Sequence, residues 1–507
     1  MPKTAADLDP DTIFASIDFG GARAIVAAVS GGGDSLALLF LLKEYLAQRG
    51  ADAPQLTAVT IDHGLRPESA DEAEAVARLC REHGIEHRTL RWEGEKPKTG
   101  LPAAAREARY RLLVEAARKA GARIIVTGHT RDDQIETFLM RGARGVGRGL
   151  AGMAGFTLLD GQLWLVRPLL NTRREDLRSV LRKRNIEWFD DPTNENLAFE
   201  RPRVRARLGD GGSPSPLPSP RRRGEGDLRV AGSSSLPAPG MNKNAQTSMP
   251  PSPRLRGEGK GEGHSTELAT ELDRIAKAVA TRRAQGEAVA DFLGVGVRIE
   301  PAEDVSIDAN ALKEARHDVA TLALGVLASV IGGRSFLPGD AERERLFTHL
   351  SGQAAARLGL GGCIIKRGRH RHHIWREARG LPELLLSSGE SSIWDGRYRI
   401  ANGLSGGKQV RIAPLVSMEF DDFCLNAGID RTNIRRAAAL TGPAVYVDGK
   451  LMDIPAVTGG RFLPAGLAMT RHIALFDKIL PGHDLALANA VRRLFGFANY
   501  PDPPIVT

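Results

Sequence analysis

The sequence predicts a doubly wound α/β domain on a parallel sheet, followed by a helical domain and a small α+β C-terminal domain. Three observations carry this. Residues 20 to about 130 alternate short β-branched runs with helix-forming stretches, the pattern of right-handed crossovers with helices on both faces. A glycine-rich turn, Ser30-Gly31-Gly32-Gly33-Asp34-Ser35, sits at the first strand–helix junction. Beyond a Pro/Gly/Ser-rich stretch at 209–264 the pattern changes to Ala/Leu-rich helices, and from about Leu358 to short alternating strands. The expected division is therefore 1–208, an insert at 209–264, 265–352 and 353–507.

Residues 24–29 are small and β-branched, as in a buried parallel strand, and 36–42 are apolar helix formers. A second strand at 56–61 ends in Asp62-His63-Gly64-Leu65-Arg66, and a helix from about 69 to 83 follows. A strand near 87–92, a helix over 103–120 and a short buried strand at 123–127 complete the alternation. Ligands in such folds bind at the carboxyl ends of strands, where Ser30, Asp62 and Gly128 fall.

Strand, glycine turn and helix aim free backbone N–H groups at an anion. Gly31, Gly32 and Gly33 allow close approach, while Ser30 and Ser35 add hydroxyl donors. This is a phosphate loop, but it lacks the lysine of a Walker loop and carries Asp34 instead. A carboxylate beside phosphates makes sense with Mg²⁺ between them. Gly128-His129-Thr130-Arg131-Asp132-Asp133-Gln134-Ile135-Glu136 is the second dense site. A helix beginning near Arg131 puts Asp133 and Glu136 on one face. Such a pair holds Mg²⁺ or binds an ammonium; the plain alternative is helix capping and solvated acids. Arg106 and Arg109 lie one turn apart, facing phosphates or surface acids. Arg141, Arg144 and Arg148 punctuate a glycine-rich loop suited to a nucleic-acid backbone or to a flexible lid.

The S-G-G-x-D-S pattern resembles the pyrophosphate (PP) loop of the N-type ATP pyrophosphatases. With it, in one order, come Ile61-Asp62-His63-Gly64-Leu65-Arg66, the segments 105–111 and 127–137, Arg167-Pro168-Leu169-Leu170 and Asp190-Asp191-Pro192-Thr193-Asn194. Together they closely resemble the tRNA(Ile)-lysidine synthetases, strongly over residues 20 to about 205. The resemblance implies cleavage of ATP to AMP and pyrophosphate with adenylation of the wobble cytidine of tRNA(Ile) bearing a CAU anticodon. Free L-lysine then displaces AMP to give lysidine. It implies catalytic roles for Asp34, Asp133, Glu136 and Arg109. It implies nucleotide binding by Ser30, Gly31, Gly32, Gly33, Asp34, Ser35, Asp62, His63, Gly128 and His129, and Mg²⁺ on Asp34 and Asp133. The family ending R-N-x-[IV]-R stands here as Arg201-Pro202-Arg203-Val204-Arg205, with proline in place of asparagine. Rival readings are another adenylating enzyme on the same loop, such as a tRNA sulfur transferase or an NAD-synthetase type, and a non-catalytic nucleotide-binding regulator.

Just before that tip, 172–185 reads as a helix with a capping box, Thr172 and Glu175. The insert at 209–264 holds nine of the 29 prolines and no Phe, Trp or Tyr, too little apolar surface to offset its ordering entropy. Within it 218–226 recurs as 251–259, with eight of nine positions matching. Further on, 366–373 reads as a strand presenting Arg367, Arg369, Arg371 and His373 on one face, a cationic stripe for tRNA. Cys363 with His370, His372 and His373 lacks the second cysteine pair of a zinc site.

At 507 residues the chain has room for two or three cores, and its net charge of +9 suits a polyanionic partner. No run approaches a membrane span, and the N-terminus, with four acids by Asp18 and without a basic start followed by an apolar core, does not read as a secretory signal. Three scattered cysteines fit a reduced, cytoplasmic setting. The assembly stays open, with a homodimer as one option.

Overall fold

The computed structural model describes residues 8–66, 68–143, 145, 147–189, 200–209, 262–352 and 357–506. The expected insert, apart from its helical ends, lies outside these residues, as do the 190–194 motif and Arg144.

Helix α1 (Pro10–Phe14) precedes β1 (Ala24–Ala28), every residue of which is buried. Then follow α2 (Gly33–Ala47), β2 (Gln55–Asp62), α3 (Ser69–Glu82), β3 (Glu86–Arg91), α4 (Leu101–Lys119), β4 (Ile124–Thr127) and α5 (Arg131–Gly142). After β5 (Phe156–Leu159) and β6 (Leu163–Val166) come α6 (Arg174–Lys183), α7 (Glu200–Gly209) and the long α8 (Glu262–Gly296). Five strands run parallel in the order β3-β2-β1-β4-β6, with Val26 opposite Thr57 on one side and Ile125 on the other.

The double winding follows from the two-residue period of β1. Ile25 and Ala27 face the core built on α2. Ala24, Val26 and Ala28 face Tyr110, Leu113 and Ala117 of α4. A strand buried on both faces must be apolar throughout, which explains the run read in the sequence.

At the far edge, β5 pairs antiparallel with β6, and Ile479–Pro481 from the chain's end pairs antiparallel with β5. Ile17 and Ile505 form a further bridge, and Asp18 N donates to Pro504 O. A strand of the expected C-terminal unit thus lies in the first sheet. The expected boundary near 352 also falls inside one sheet. Strands Val297–Ile299 and Val305–Asp308 pair in series with Arg371–Arg376, Cys363–Lys366 and Arg357–Leu360. Between them lie the expected helices, Ala309–Glu314, His317–Ile331 and Asp340–Ser351. Two small sheets follow, one holding the hairpin Ser391–Trp394 with Tyr398–Asn402.

Two expectations are corrected here. The glycine-rich loop after α5 does not offer its described arginines to a nucleic acid. Arg141 Nη1 donates to the carbonyls of Gly149 (2.9 Å) and Gly152 (2.8 Å), bracing the loop. Arg148 pairs with Asp484 and donates to Gln285 Oε1 at 2.8 Å. Arg282 of α8 donates to the same buried Asp484 at 3.0 Å, so this node ties the loop, α8 and the C-terminus together. Nor is the expected stripe one face of a strand. Arg367 and Arg369 lie in the turn before Arg371–Arg376; Arg371 donates to Ser306 Oγ (3.0 Å) and His373 bonds Asp304 (2.8 Å). A glycine at 368, whose N–H donates to His372 Nδ1 at 3.3 Å, turns the chain where the sequence pattern reads straight on.

Among the described residues, no helix is long and apolar enough to cross a membrane. The three cysteines are unpaired and buried.

Candidate active site

After β1 the chain turns through Ser30–Gly32 into α2. Gly31 has φ +79°, and a Cβ there would sit 3.1 Å from both Phe189 and Val76, so the position needs glycine on both counts. Ser35 Oγ accepts from Ser30 N–H (3.1 Å) and donates to Gly32 O (2.9 Å), closing the loop on itself. Gly32 is the N-cap of α2 and offers no side-chain cap. Ser35 N–H donates to Gly32 O at 3.1 Å, and the N–H groups of Gly33 and Asp34 are left for an anion. Across the sheet, a Cβ on Gly128 would lie 2.8 Å from Asp34 O and 3.0 Å from Ser35 Cα. Gly128 is what lets the end of β4 approach the phosphate loop.

Asp62, at the end of β2, accepts at Oδ1 from Gly64 N and Ser69 Oγ, both at 2.7 Å, and lies 3.6 Å from Arg91. Burial opposes its charge, but these donors hold it below the usual carboxylate range. Its geometry shapes the turn that carries His63. The His63 ring stands edge-on to Trp92, and burial followed by the Arg109 charge lowers its pKa. His129 pairs through Nδ1 with Thr127 Oγ1 at 3.0 Å; burial, then Arg167 and Arg109, pull it down to about 3. His129 is therefore a neutral imidazole at pH 7. Arg109, partly exposed on α4, bears on both rings.

The acids are brought together as expected: α5 runs from Arg131 to Gly142, with Asp133 and Glu136 buried on one face. The capping reading also holds for Asp133. Its Oδ2 accepts from Thr130 N (2.9 Å) and Thr130 Oγ1 (3.0 Å) in a capping box. Between the acids stands a cation, Arg174. Arg174 Nε donates to Asp34 Oδ2 at 3.0 Å, Nη2 to Asp133 Oδ1 at 3.1 Å and Nη1 to Glu136 Oε1 at 3.4 Å. From α7, Arg201 Nε donates to Glu136 Oε2 and Arg205 Nε to Glu136 Oε1, both at 2.9 Å. Burial pushes the Asp34 carboxyl up to about 6 despite Arg174 beside it. For Asp133 burial works the same way, but Arg201 and Arg174 outweigh it and hold the group low.

Arg174 corrects the reading of α6. The helix starts behind Arg173, with no side-chain cap from its own chain segment. Asp132 Oδ2 accepts from Arg174 N at 2.9 Å instead, so the cap comes from α5 and not from a Thr172–Glu175 box. A signal was present: three acids gathered at one site call for cations, and Arg201 and Arg205 stand four apart, on one helical face. Pro202, third in α7, falls among first-turn positions whose N–H has no intrahelical partner, so it removes no helix bond.

Mg²⁺ can be tested against these donors. Asp34 Oδ1 is buried with no hydrogen-bond partner, while both oxygens of Asp133 and of Glu136 are engaged. Mg²⁺ commonly takes one or two carboxylates plus substrate phosphates, so Asp34 at the mouth of the loop fits. Asp133 fits only after losing a guanidinium.

A model for a PP-loop domain matches residues 10–211. Over 501 residues the chain is 44% identical to a tRNA(Ile)-lysidine synthase of Brucella canis, covering 97% of this chain and 98% of that one. A synthase of the same name from Brucella ovis matches with the same figures. Among solved structures, a U34-tRNA thiolase, NcsA, of Methanococcus maripaludis aligns with 40% of this chain and 71% of its own, at TM-score 0.33 and 17% identity, too distant to bear on the site. Near-full-length identity at that level, on a chain whose phosphate loop and acids converge at one sheet end, leads to one conclusion: the chain belongs to the tRNA(Ile)-lysidine synthase family.

Proposed function

We propose that the protein ligates lysine to the wobble cytidine of tRNA(Ile), using ATP. The observation that carries the reading is the convergence of Asp34, Asp133 and Glu136 on one guanidinium beside the phosphate loop. The N–H groups at the start of α2 bind the ATP phosphates. The cytidine carbonyl oxygen attacks the α-phosphorus and pyrophosphate leaves. The lysine ε-amine, neutral at that moment, then attacks the activated ring carbon, forming C–N as the C–O bond to AMP breaks. Asp34 would hold Mg²⁺, which when bound would supply neutralisation of the phosphate charge. Asp133 and Glu136 bind the amino-acid ammonium. Arg109 takes the lysine carboxylate or a phosphate, and His63 and His129, as neutral rings, line the nucleotide side. A cytoplasmic setting and a homodimeric assembly belong to the same proposal; sedimentation velocity reads the second.

The test is mass analysis of tRNA(Ile) after incubation with ATP, Mg²⁺ and lysine, which should show lysine added with loss of water. Single-turnover assays on Glu136→Gln divide the roles. Adenylated tRNA that accumulates for want of lysine use supports ammonium recognition; its absence assigns Glu136 to the first step.

A further inference from the structure

The acid site is full. Glu136 Oε1 accepts from Arg205 at 2.9 Å and Arg174 at 3.4 Å; Oε2 accepts from Arg201 at 2.9 Å and Arg205 at 3.3 Å. Asp133 Oδ2 is spent on the capping box, and its Oδ1 faces Arg174 at 3.1 Å and Arg201 at 3.4 Å. Three carboxylates and three guanidiniums make the cluster formally neutral. An incoming ammonium finds no net attraction, and on Asp133 and Glu136 no oxygen without a donor already on it for its three N–H groups. Burying a fourth cation here without releasing one would leave an uncompensated charge.

The cations are not equally held. Arg174 is 18% exposed and bonds all three acids, and its own helix start is capped by Asp132. Arg201 and Arg205 are 42% and 35% exposed. They reach the acids from a single helix, so they can leave together. We propose that α7 is a displaceable counterion: Arg201 and Arg205 occupy the acid pocket at rest, and the ammonium of the amino-acid substrate exchanges with them. One ammonium in place of two guanidiniums keeps a cation on the acids but leaves the pocket one negative charge in excess, and arrival of the substrate cation frees α7. The proposal rests on the reading that Asp133 and Glu136 bind lysine.

Hydrogen exchange and calorimetry on the full-length protein test it. Lysine should speed amide exchange in residues 203–209 of the unmodified chain, while norleucine, which lacks the ε-amine, should not. Arg201→Gln/Arg205→Gln should bind lysine at least about tenfold more tightly, the scale of a single competing charge-assisted contact. Arg205→Lys, which keeps the cation, should stay near the unmodified value. Weaker or unchanged lysine binding in the double variant, with unaltered exchange in α7, overturns the displacement while Glu136→Gln still weakens lysine. If Glu136→Gln leaves lysine affinity intact, the underlying reading of the acids fails instead.

Discussion

The phosphate loop and the acid cluster lie side by side, sharing Asp34, yet they are built in opposite ways. The loop is six consecutive residues, and what it offers a ligand is backbone left unpaired at the start of α2. The cluster gathers side chains from α2, α5, α6 and α7, and it offers almost nothing until a cation leaves. An anion site can wait empty, because orphan N–H groups are satisfied by water. Buried acids cannot wait unpaired, because the desolvated charges would repel one another. The protein therefore meets its anionic ligand with an open cradle and its cationic one with a filled pocket.

Removing the residue common to both should have the largest effect. Asp34→Asn deletes the one acceptor atom left free for Mg²⁺ and is expected to cut turnover about a hundredfold or more, the scale of several kcal/mol from a metal. Its fold should persist, since Asn still accepts from Arg174. Near-normal AMP release would dissolve the link between the two regions.

Arg174→Ala should act on the acid side first. Three carboxylates lose their shared cation, and thermal or urea unfolding should show destabilisation of about 3 kcal/mol, the scale for breaking a buried pair. Arg174→Lys should recover part of it. An unchanged midpoint would mean that the α7 arginines alone neutralise the cluster.

On the loop side, Gly128→Ala forces a methyl to within 3 Å of the Asp34–Ser35 backbone. We expect a cost of about 1–3 kcal/mol as overpacking, with a raised KM for ATP as the loop shifts. A loss of stability with ATP affinity intact would show that the strand ends move independently.

The smallest effect is a pH dependence. Asp34 is raised from the ordinary 3.8 to about 6 by burial, so the folded state binds its proton more tightly than the unfolded chain. Between those values stability contributed by this group falls as pH rises. Since water still reaches 22% of the side chain, the fall is on the order of 1 kcal/mol. Asp34→Asn in metal-free buffer should remove it from the pH–stability curve. An identical slope in the variant would assign the effect elsewhere.

The difference between the two regions is also the difference in legibility. Residues 24–42 announce strand, loop and helix because each signal is local: apolar period, glycine and helix propensity act over a few neighbours. The face shared by Asp133 and Glu136 follows from helical spacing alone. Arg174, by contrast, is 140 residues from Asp34 in sequence, and a lone arginine in a charged helix reads as solvated surface. Asp484, which locks Arg148 and Arg282, is equally silent, as is the return of Ile479–Pro481 to the first sheet.

By itself, then, the sequence determined the doubly wound order, the phosphate loop and which acids stand near it. The tertiary structure decided which cations those acids keep, that half of the cationic stripe lies in a turn, and that a strand from the C-terminal part of the chain completes its first sheet. Periodicity and turn chemistry are properties of neighbouring residues, whereas charge pairing and edge-strand pairing depend on which distant segments the packed core brings within a few ångströms.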